Sequence, residues 1–396
     1  MNGLSVCLCT ESRNPSGLGR HMLDLAVTLQ GHGHAPILIS PSTDAALELR
    51  DLARVAGIPN PSLPGERGDV DHLQLAAFLT HAQVDVFHCH AGIAWEGHDC
   101  VQTARDAGVP AVVRTEHLPW QSRDQDDRVR YLALSSRVDR FIHVSEQVAD
   151  TFAAAALRPE TASVVRNGII AARSRTATEV ATRFFDDPRA RTVLTVARLT
   201  PRKGHIHLIK ALPVILEADV PVHLLLAGDG PQRQELEQLS RDLGVGRNVH
   251  FLGHRRDIPA LLEDADVFVL PSLYEGLPLV VLEAMASKTP VVATDIVGTG
   301  EAVIDGVTGR LVAPSDPLAL ADAILDVLAD SSRAARWASA GYRRYWREFT
   351  ADRMTRETVA VYRAAIEPAV PAVVGGDVLT DVLTTGSEPA EAGSRG

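Results

Sequence analysis

Residues 267–286 read VFVLPSLYEGLPLVVLEAMA, and the reading of this stretch decides the fold. Residues 267–270 form a short apolar run closed by Pro271 and Ser272, the pattern of a fully buried strand. Glu275 and Gly276 make a turn, and Pro278 suits the first helical position, where its missing N–H costs nothing. The first amides of such a helix are unpaired and its positive end faces the turn, so a phosphate is well placed there. A phosphate repels Glu275 unless that carboxylate points elsewhere, and sugar hydroxyls are the natural target. Glu283 lies about 7 Å further along the helix axis than Pro278 and reaches a second polyol such as a ribose. A sugar, a phosphate bridge and a ribose together describe a nucleotide sugar. The competing reading is a solvated turn followed by one exposed helix Glu.

Composition sets the frame. At 396 residues the chain exceeds what one core usually supports, so two domains are expected. Its 45% hydrophobic and 22% charged content is that of a globular protein. The net charge of −11 argues against general nucleic-acid binding, which rests on neutralising phosphates. No apolar run has the length of a membrane span, and no basic region precedes the short apolar run at residues 4–8. The expectation is a cytoplasmic protein without an integral membrane segment. Cys7, Cys9, Cys89 and Cys100 form no C-x-x-C pair and are expected to be free buried thiols. His32 with His34 and His88 with His90 lie in different elements, without helix-spaced H-E-x-x-H, so neither a metal nor a cofactor is expected.

In the N-terminal half, residues 4–8 read as a strand and Pro15, Ser16, Gly17 and Gly19 as a loop. Met22, Leu23, Leu25, Ala26 and Leu29 give a helix from Arg20 to Gly31, and residues 37–39 a second strand. This βαβ unit starts a parallel sheet. A nicotinamide site is disfavoured, because Met22 replaces the third glycine of G-x-G-x-x-G and Ser40-Pro41 replaces the acid after the second strand. Further strands are expected at 84–88, 111–114, 141–145 and 163–165, with helices at 71–81, 124–140 and 146–157. Arg123, Arg128, Arg130, Arg137 and Arg140 alternate with acids on a solvated face. His90 and His117 follow strand ends, where open α/β sheets bind ligands.

The pattern restarts at residues 192–197. Arg198 and Lys203 follow in R-L-T-P-R-K-G, two cations suited to a diphosphate, which Arg grips bidentately and Lys meets as a point charge. Residues 222–227, 249–252 and 291–293 read as strands, and Gly228 and Gly230 permit a close turn before a helix at 232–243. Residues 298–301 read as a loop, 306–311 as a hairpin-like return and 317–329 as a helix. Tyr342, Tyr345, Trp346 and Phe349 cluster ahead of a helix ending near Ile366.

The Glu275-x7-Glu283 pattern resembles the signature of glycosyltransferase family 4, retaining enzymes of the GT-B fold, and the similarity extends over about residues 1–365. The resemblance implies an α/β protein of two facing Rossmann-like domains with parallel sheets. Residues 1–170 would bind the acceptor, 171–190 link, 191–340 bind the nucleotide sugar and 341–366 form a helix crossing back, ahead of a disordered tail at 367–396. It places Glu275 at the transferred sugar, Glu283 at the ribose, and the Gly276 and Leu277 amides at the phosphates. Arg198 and Lys203 match R-x4-K-G and neutralise the leaving nucleotide. Gly17 and Gly19 match a GG-x-G-R turn, with Ser16 replacing the first glycine, and bring amides to the diphosphate from the opposite domain. Gly228 and Gly253 fall on the donor side, the latter in an edge similar to the family's base-binding edge. His117 matches a T-x-H position near the transferred sugar and acceptor hydroxyl, and His90 a strand-end His on the acceptor side. Residues 167–170 resemble the N-G-I-D hinge, with Ile170 in place of Asp.

The implied activity is retaining, metal-independent transfer from a nucleotide-diphosphate sugar to an acceptor hydroxyl on a sugar, a small molecule or a lipid-linked molecule. A nucleotide-sugar epimerase or phosphorylase of the same architecture, and a non-catalytic nucleotide-sugar binder, are the alternatives. A membrane-surface scaffold finds no basic amphipathic helix to support it. Donor sugar, base, acceptor and oligomeric state stay open.

Overall fold

A strand buried on both faces is apolar except where a partner pairs its polar side chains, and the run at residues 267–270 is apolar throughout. The computed structural model describes residues 3–122, 124–171 and 189–367. Its first sheet comprises β1 (Ser5–Cys9), β2 (Ala35–Ile39), β3 (Val86–Ala91), β4 (Ala111–Glu116), β5 (Arg140–His143) and β6 (Ala162–Val164), in the order β2-β1-β3-β4-β5-β6. The second comprises β7 (Arg191–Val196), β8 (Val222–Ala227), β9 (Val249–Gly253), β10 (Val267–Leu270), β11 (Val291–Thr294) and β12 (Arg310–Val312), in the order β12-β11-β10-β7-β8-β9. All strand pairings in both sheets are parallel. The fold is therefore α/β, two sheets each flanked by helices, here called the first and second lobe. Every residue of β3, β4 and β10 is buried.

The chain does not end in the lobe it last built. The helix Ala351–Ile366 packs on Ser16–Gly31 and on β4 and β5, and its Met354, Val359, Val361 and Tyr362 join Val6, Leu8, Met22 and Leu25 in one core. Where it leaves the second lobe it runs beside the outgoing connection. Ile169 N–H donates to the Phe349 carbonyl and Ala351 N–H to the Ile169 carbonyl, both at 3.0 Å. A Cβ on Gly168 would meet the Thr350 carbonyl oxygen at 2.3 Å, so only glycine admits this approach.

Several local expectations are corrected. The first helix begins at Ser16, because the Gly19 amide already donates to the Pro15 carbonyl at 2.7 Å; Gly17 and Gly19 are helical, not loop. Pro278 is the residue before its helix, its ψ of 116° being extended, and Leu279 opens Leu279–Ala286. Tyr342, Tyr345 and Trp346 lie inside a helix, Ser331–Glu348, that breaks at Phe349; Tyr345 and Phe349 are buried while Trp346 is exposed. The charged helix is shorter than expected, Gln125–Ser135. Thr299–Ala302 is a helical turn, not loop, since the Ala302 amide reaches back to the Gly298 carbonyl. After a tight turn at Asp305–Gly309 the chain enters β12 parallel to β11, so the return is no hairpin. Arg123, residues 172–188 of the expected linker and 368–396 of the expected tail lie outside the described residues. All four cysteines are buried and unbonded, with Cys89 and Cys100 sulfurs 3.6 Å apart.

Candidate active site

The second lobe's wall is assembled at the ends of β7 and β10. After β7 the chain makes one tight turn, Pro201–Lys203, and leaves it at Gly204 with φ +66°. A Cβ there would sit 2.0 Å from the Pro271 carbonyl oxygen, so glycine lets the Lys203 turn lie directly on the end of β10. Lys203 Nζ forms an ion pair with Glu275 Oε1, and the Ser272 hydroxyl donates to the same oxygen at 2.8 Å. Burial alone would push Glu275 up, but Lys203 and then Arg202, together with these hydrogen bonds, hold it below its ordinary range. Glu275 is thus an ionised carboxylate kept buried by two cations. Arg202, half-buried beside it, was not singled out from sequence, although it directly precedes Lys203.

Arg198 is exposed and reaches the other lobe. With the Asn14 carboxamide oxygen turned toward it, Asn14 accepts from both terminal guanidinium nitrogens at 2.6 and 2.9 Å. The two donor-side glycines expected from sequence are brought together: Gly228 N–H donates to the Gly253 carbonyl at 2.8 Å. Gly228 has φ +151°, and a Cβ on it would meet the Ala197 carbonyl oxygen at 2.0 Å, immediately before Arg198.

The turn after Glu275 is clamped against the first lobe. Ser145 Oγ donates to the Gly276 carbonyl at 3.0 Å and Asn167 Nδ2 to the Leu277 carbonyl at 2.8 Å. A Cβ on Gly276 would lie 1.9 Å from the His117 carbonyl oxygen, so the backbones of the two lobes touch here. Leu277 is buried, and the helix behind it offers its first amides. Glu283, half-buried on that helix, faces Arg20 and Asp24 of the first lobe; burial raises it to about 7, with Arg20 lowering and Asp24 raising it. Arg20 Nε in turn donates to Asp24 Oδ1 at 3.0 Å, and Asp24 Oδ2 accepts from the Ile170 amide at 3.1 Å. Arg20 is the arginine of the G-x-G-R match, a signal the sequence offered.

The first lobe contributes imidazoles. His117 follows β4, and its Nε2 lies 3.1 Å from Nδ1 of His90 on β3. His21, on the first helix, stands edge-on to His117 with ring centroids 4.6 Å apart. His88 is held elsewhere, its ring nitrogens 2.7 Å from Tyr362 Oη and Thr115 Oγ1. Glu301, for which sequence suggested no role, closes the cleft's back: its carboxylate accepts from Arg166 Nε at 2.6 Å and from the Gln147 amide at 3.2 Å.

Two parallel-sheet lobes meeting at strand ends that carry these cations and carboxylates define the GT-B class of glycosyltransferases. A solved structure of Anabaena HepE in complex with UDP-glucose has the same fold, with a TM-score of 0.78 at 22% identity over 91% of this chain and 100% of that one. Two family models match, Glycosyltransferase Family 4 over residues 15–173 and Glycosyl transferases group 1 over residues 182–344. A protein named glycogen synthase from Mycobacterium tuberculosis H37Rv is 32% identical over 393 residues, spanning 88% of this chain and 91% of the relative. A GDP-mannose-dependent alpha-(1-6)-phosphatidylinositol monomannoside mannosyltransferase from Mycolicibacterium smegmatis is 38% identical over 186 residues, spanning 41% of this chain and 48% of the relative. The chain belongs to glycosyltransferase family 4 and is a glycosyltransferase. No helix among the described residues is long and apolar enough to cross a membrane.

Proposed function

We propose that this enzyme, in the cytoplasm, transfers a sugar from a nucleotide-diphosphate sugar to an acceptor hydroxyl with retention of configuration and without a metal ion. The observation that carries the reading is the buried Lys203–Glu275 pair beside Arg202, set on a turn whose backbone abuts His117. Bond breaking leaves charge on the distal phosphate of the departing nucleotide. Arg198, Lys203 and the amides after Glu275 supply fixed donors where that charge develops, and such preorganised donors are usually the largest contribution to catalysis. Lys203 has three N–H donors, so it can hold Glu275 and a phosphate oxygen together. Glu275, kept ionised, accepts from hydroxyls of the transferred sugar, and Glu283 from the ribose. His117 borders the space between sugar and acceptor. Attack comes from the face that the phosphate leaves, which closure of the two lobes would shield from water.

The names of the relatives support screening UDP-glucose, ADP-glucose and GDP-mannose first. Thermal shift against these donors, followed by transfer with radiolabelled sugar, tests the reading. Donor-dependent stabilisation with transfer, and an α-anomeric product from an α-donor, is the expected result. Epimerised donor or phosphorolysis instead of transfer would reassign the reaction. Binding without transfer or slow donor hydrolysis would leave a nucleotide-sugar binder.

A further inference from the structure

Three histidines far apart in sequence converge on the first lobe's side of the cleft. His21, His90 and His117 each bring one ring nitrogen within 4.8 Å of the other two. They are 4%, 0% and 9% exposed, so the cluster is dry except where His117 meets the cleft. Nδ1 of His21 has no hydrogen-bond partner in the structure. Leaving a buried polar atom unpaired is costly, and a ligand that accepts lone pairs would relieve it.

The spacing matches a metal ion. Two nitrogens about 2.05 Å from Zn2+ at the tetrahedral angle lie about 3.3 Å apart. His90 Nδ1 and His117 Nε2 are 3.1 Å apart, so a metal replacing the shared proton needs little movement of either ring. The His21 nitrogen must close the rest, a shift of about 1.5 Å or less that rotation of one ring supplies. An all-imidazole donor set suits zinc and its transition-metal neighbours, not Mg2+ or Ca2+, which prefer oxygen. Three histidines leave a fourth position open, and His117 is the most exposed of the three.

We propose that His21, His90 and His117 form a binding site for one Zn2+ at the first lobe's wall, and that zinc bound there inhibits the enzyme by occupying His117. The inhibition rests on the transferase reading; the binding does not. The test uses the full chain, freed of metal with a chelator, then titrated with ZnCl2 against a chromophoric chelator and with CoCl2 followed by visible absorption. One equivalent of zinc and the intense visible bands of tetrahedral Co2+ are expected. His21→Gln and His90→Gln, checked for folding by circular dichroism, should each weaken zinc binding at least about tenfold. His72→Gln, which disrupts the only other described group of convergent donors, Glu11, His72 and Asp99, should leave it unchanged.

No stoichiometric zinc, or the weak spectrum of octahedral Co2+, overturns the site with the wild-type protein alone, whether or not the variants fold. Unchanged affinity in folded His90→Gln, or loss tracking His72, overturns it too. Zinc should lower sugar transfer and a chelator restore it; binding without inhibition removes the second half of the proposal. Absence of transfer with every donor would defeat the transferase reading while the cobalt spectrum still decides the metal site.

Discussion

Glu275 and Glu283 stand two helical turns apart on one short segment, yet the molecule treats them in opposite ways. Glu275 is surrounded by Lys203, Arg202 and the Ser272 hydroxyl, and its charge is held in place. Glu283 is also withdrawn from water, but Arg20, its cation, is shared with Asp24, and the carboxyl rises to about 7. The difference teaches that burial, the largest influence on both, does not decide a carboxylate's state by itself. What sets it is whether a cation is committed to that carboxylate alone. One group is fixed as an anion before any ligand arrives, and the other waits for a hydrogen-bonding partner across the cleft.

The sharpest way to break the contrast is to remove the committed cation. Lys203→Ala should lower turnover about 10²–10³-fold, the usual effect of losing one preorganised donor to a developing oxyanion. It should also cost about 1–3 kcal/mol of stability, since Glu275 stays buried with only Arg202 and the Ser272 hydroxyl to hold its charge. Chemical denaturation of Lys203→Met with Glu275→Gln should show most of that stability restored while turnover stays low. Near-normal rates in Lys203→Ala would remove the pair from the mechanism.

The next effect lies at Glu283. Its folded form holds a proton more firmly than the unfolded chain, so its contribution is fully present below pH 4.5 and is lost as pH rises to about 7. The rise from 4.5 to about 7 amounts to about 3.5 kcal/mol at most, at about 1.4 kcal/mol per pKa unit. Glu275, held low, contributes in the reverse sense, its stabilisation fading as pH falls. Melting temperature followed across this window should therefore lose its Glu283 component in Glu283→Gln, and an unchanged profile would erase the distinction between the two carboxylates. Smaller again is Gly276→Ala, which forces a Cβ into the His117 carbonyl and should cost about 1–3 kcal/mol, read as a lowered midpoint in urea. The least effect is expected for Ser145→Ala, about 1–2 kcal/mol, because it removes one hydrogen bond between the lobes and the cap on the Val148 amide.

Much of this was legible in the sequence because parallel strands buried on both faces leave an unmistakable mark. The run at 267–270 is apolar at every position and that at 222–227 at every position but His223, and helices with caps such as Asp316 announce where they start. The strand-end residues Arg198, Lys203, Glu275 and His117 were legible for the same reason, since the ends of such strands line the cleft. What stayed hidden depends on partners far away in the chain. Asn14 meets Arg198, Glu301 meets Arg166, and His21 meets His90 only after the sheets and lobes have formed. No local periodicity carries that information. The missed start of the first helix has a local cause: two glycines read as loop, yet the Pro15 carbonyl captures the Gly19 amide and winds them into the first turn.

The paired run of Ile169 beside Thr350 has a mechanical consequence. Two peptide threads, stitched by backbone bonds, join the lobes at one place, much as a spine joins two covers. Any turn of one lobe against the other must deform both threads together, so a twist at this point costs more than a simple bend.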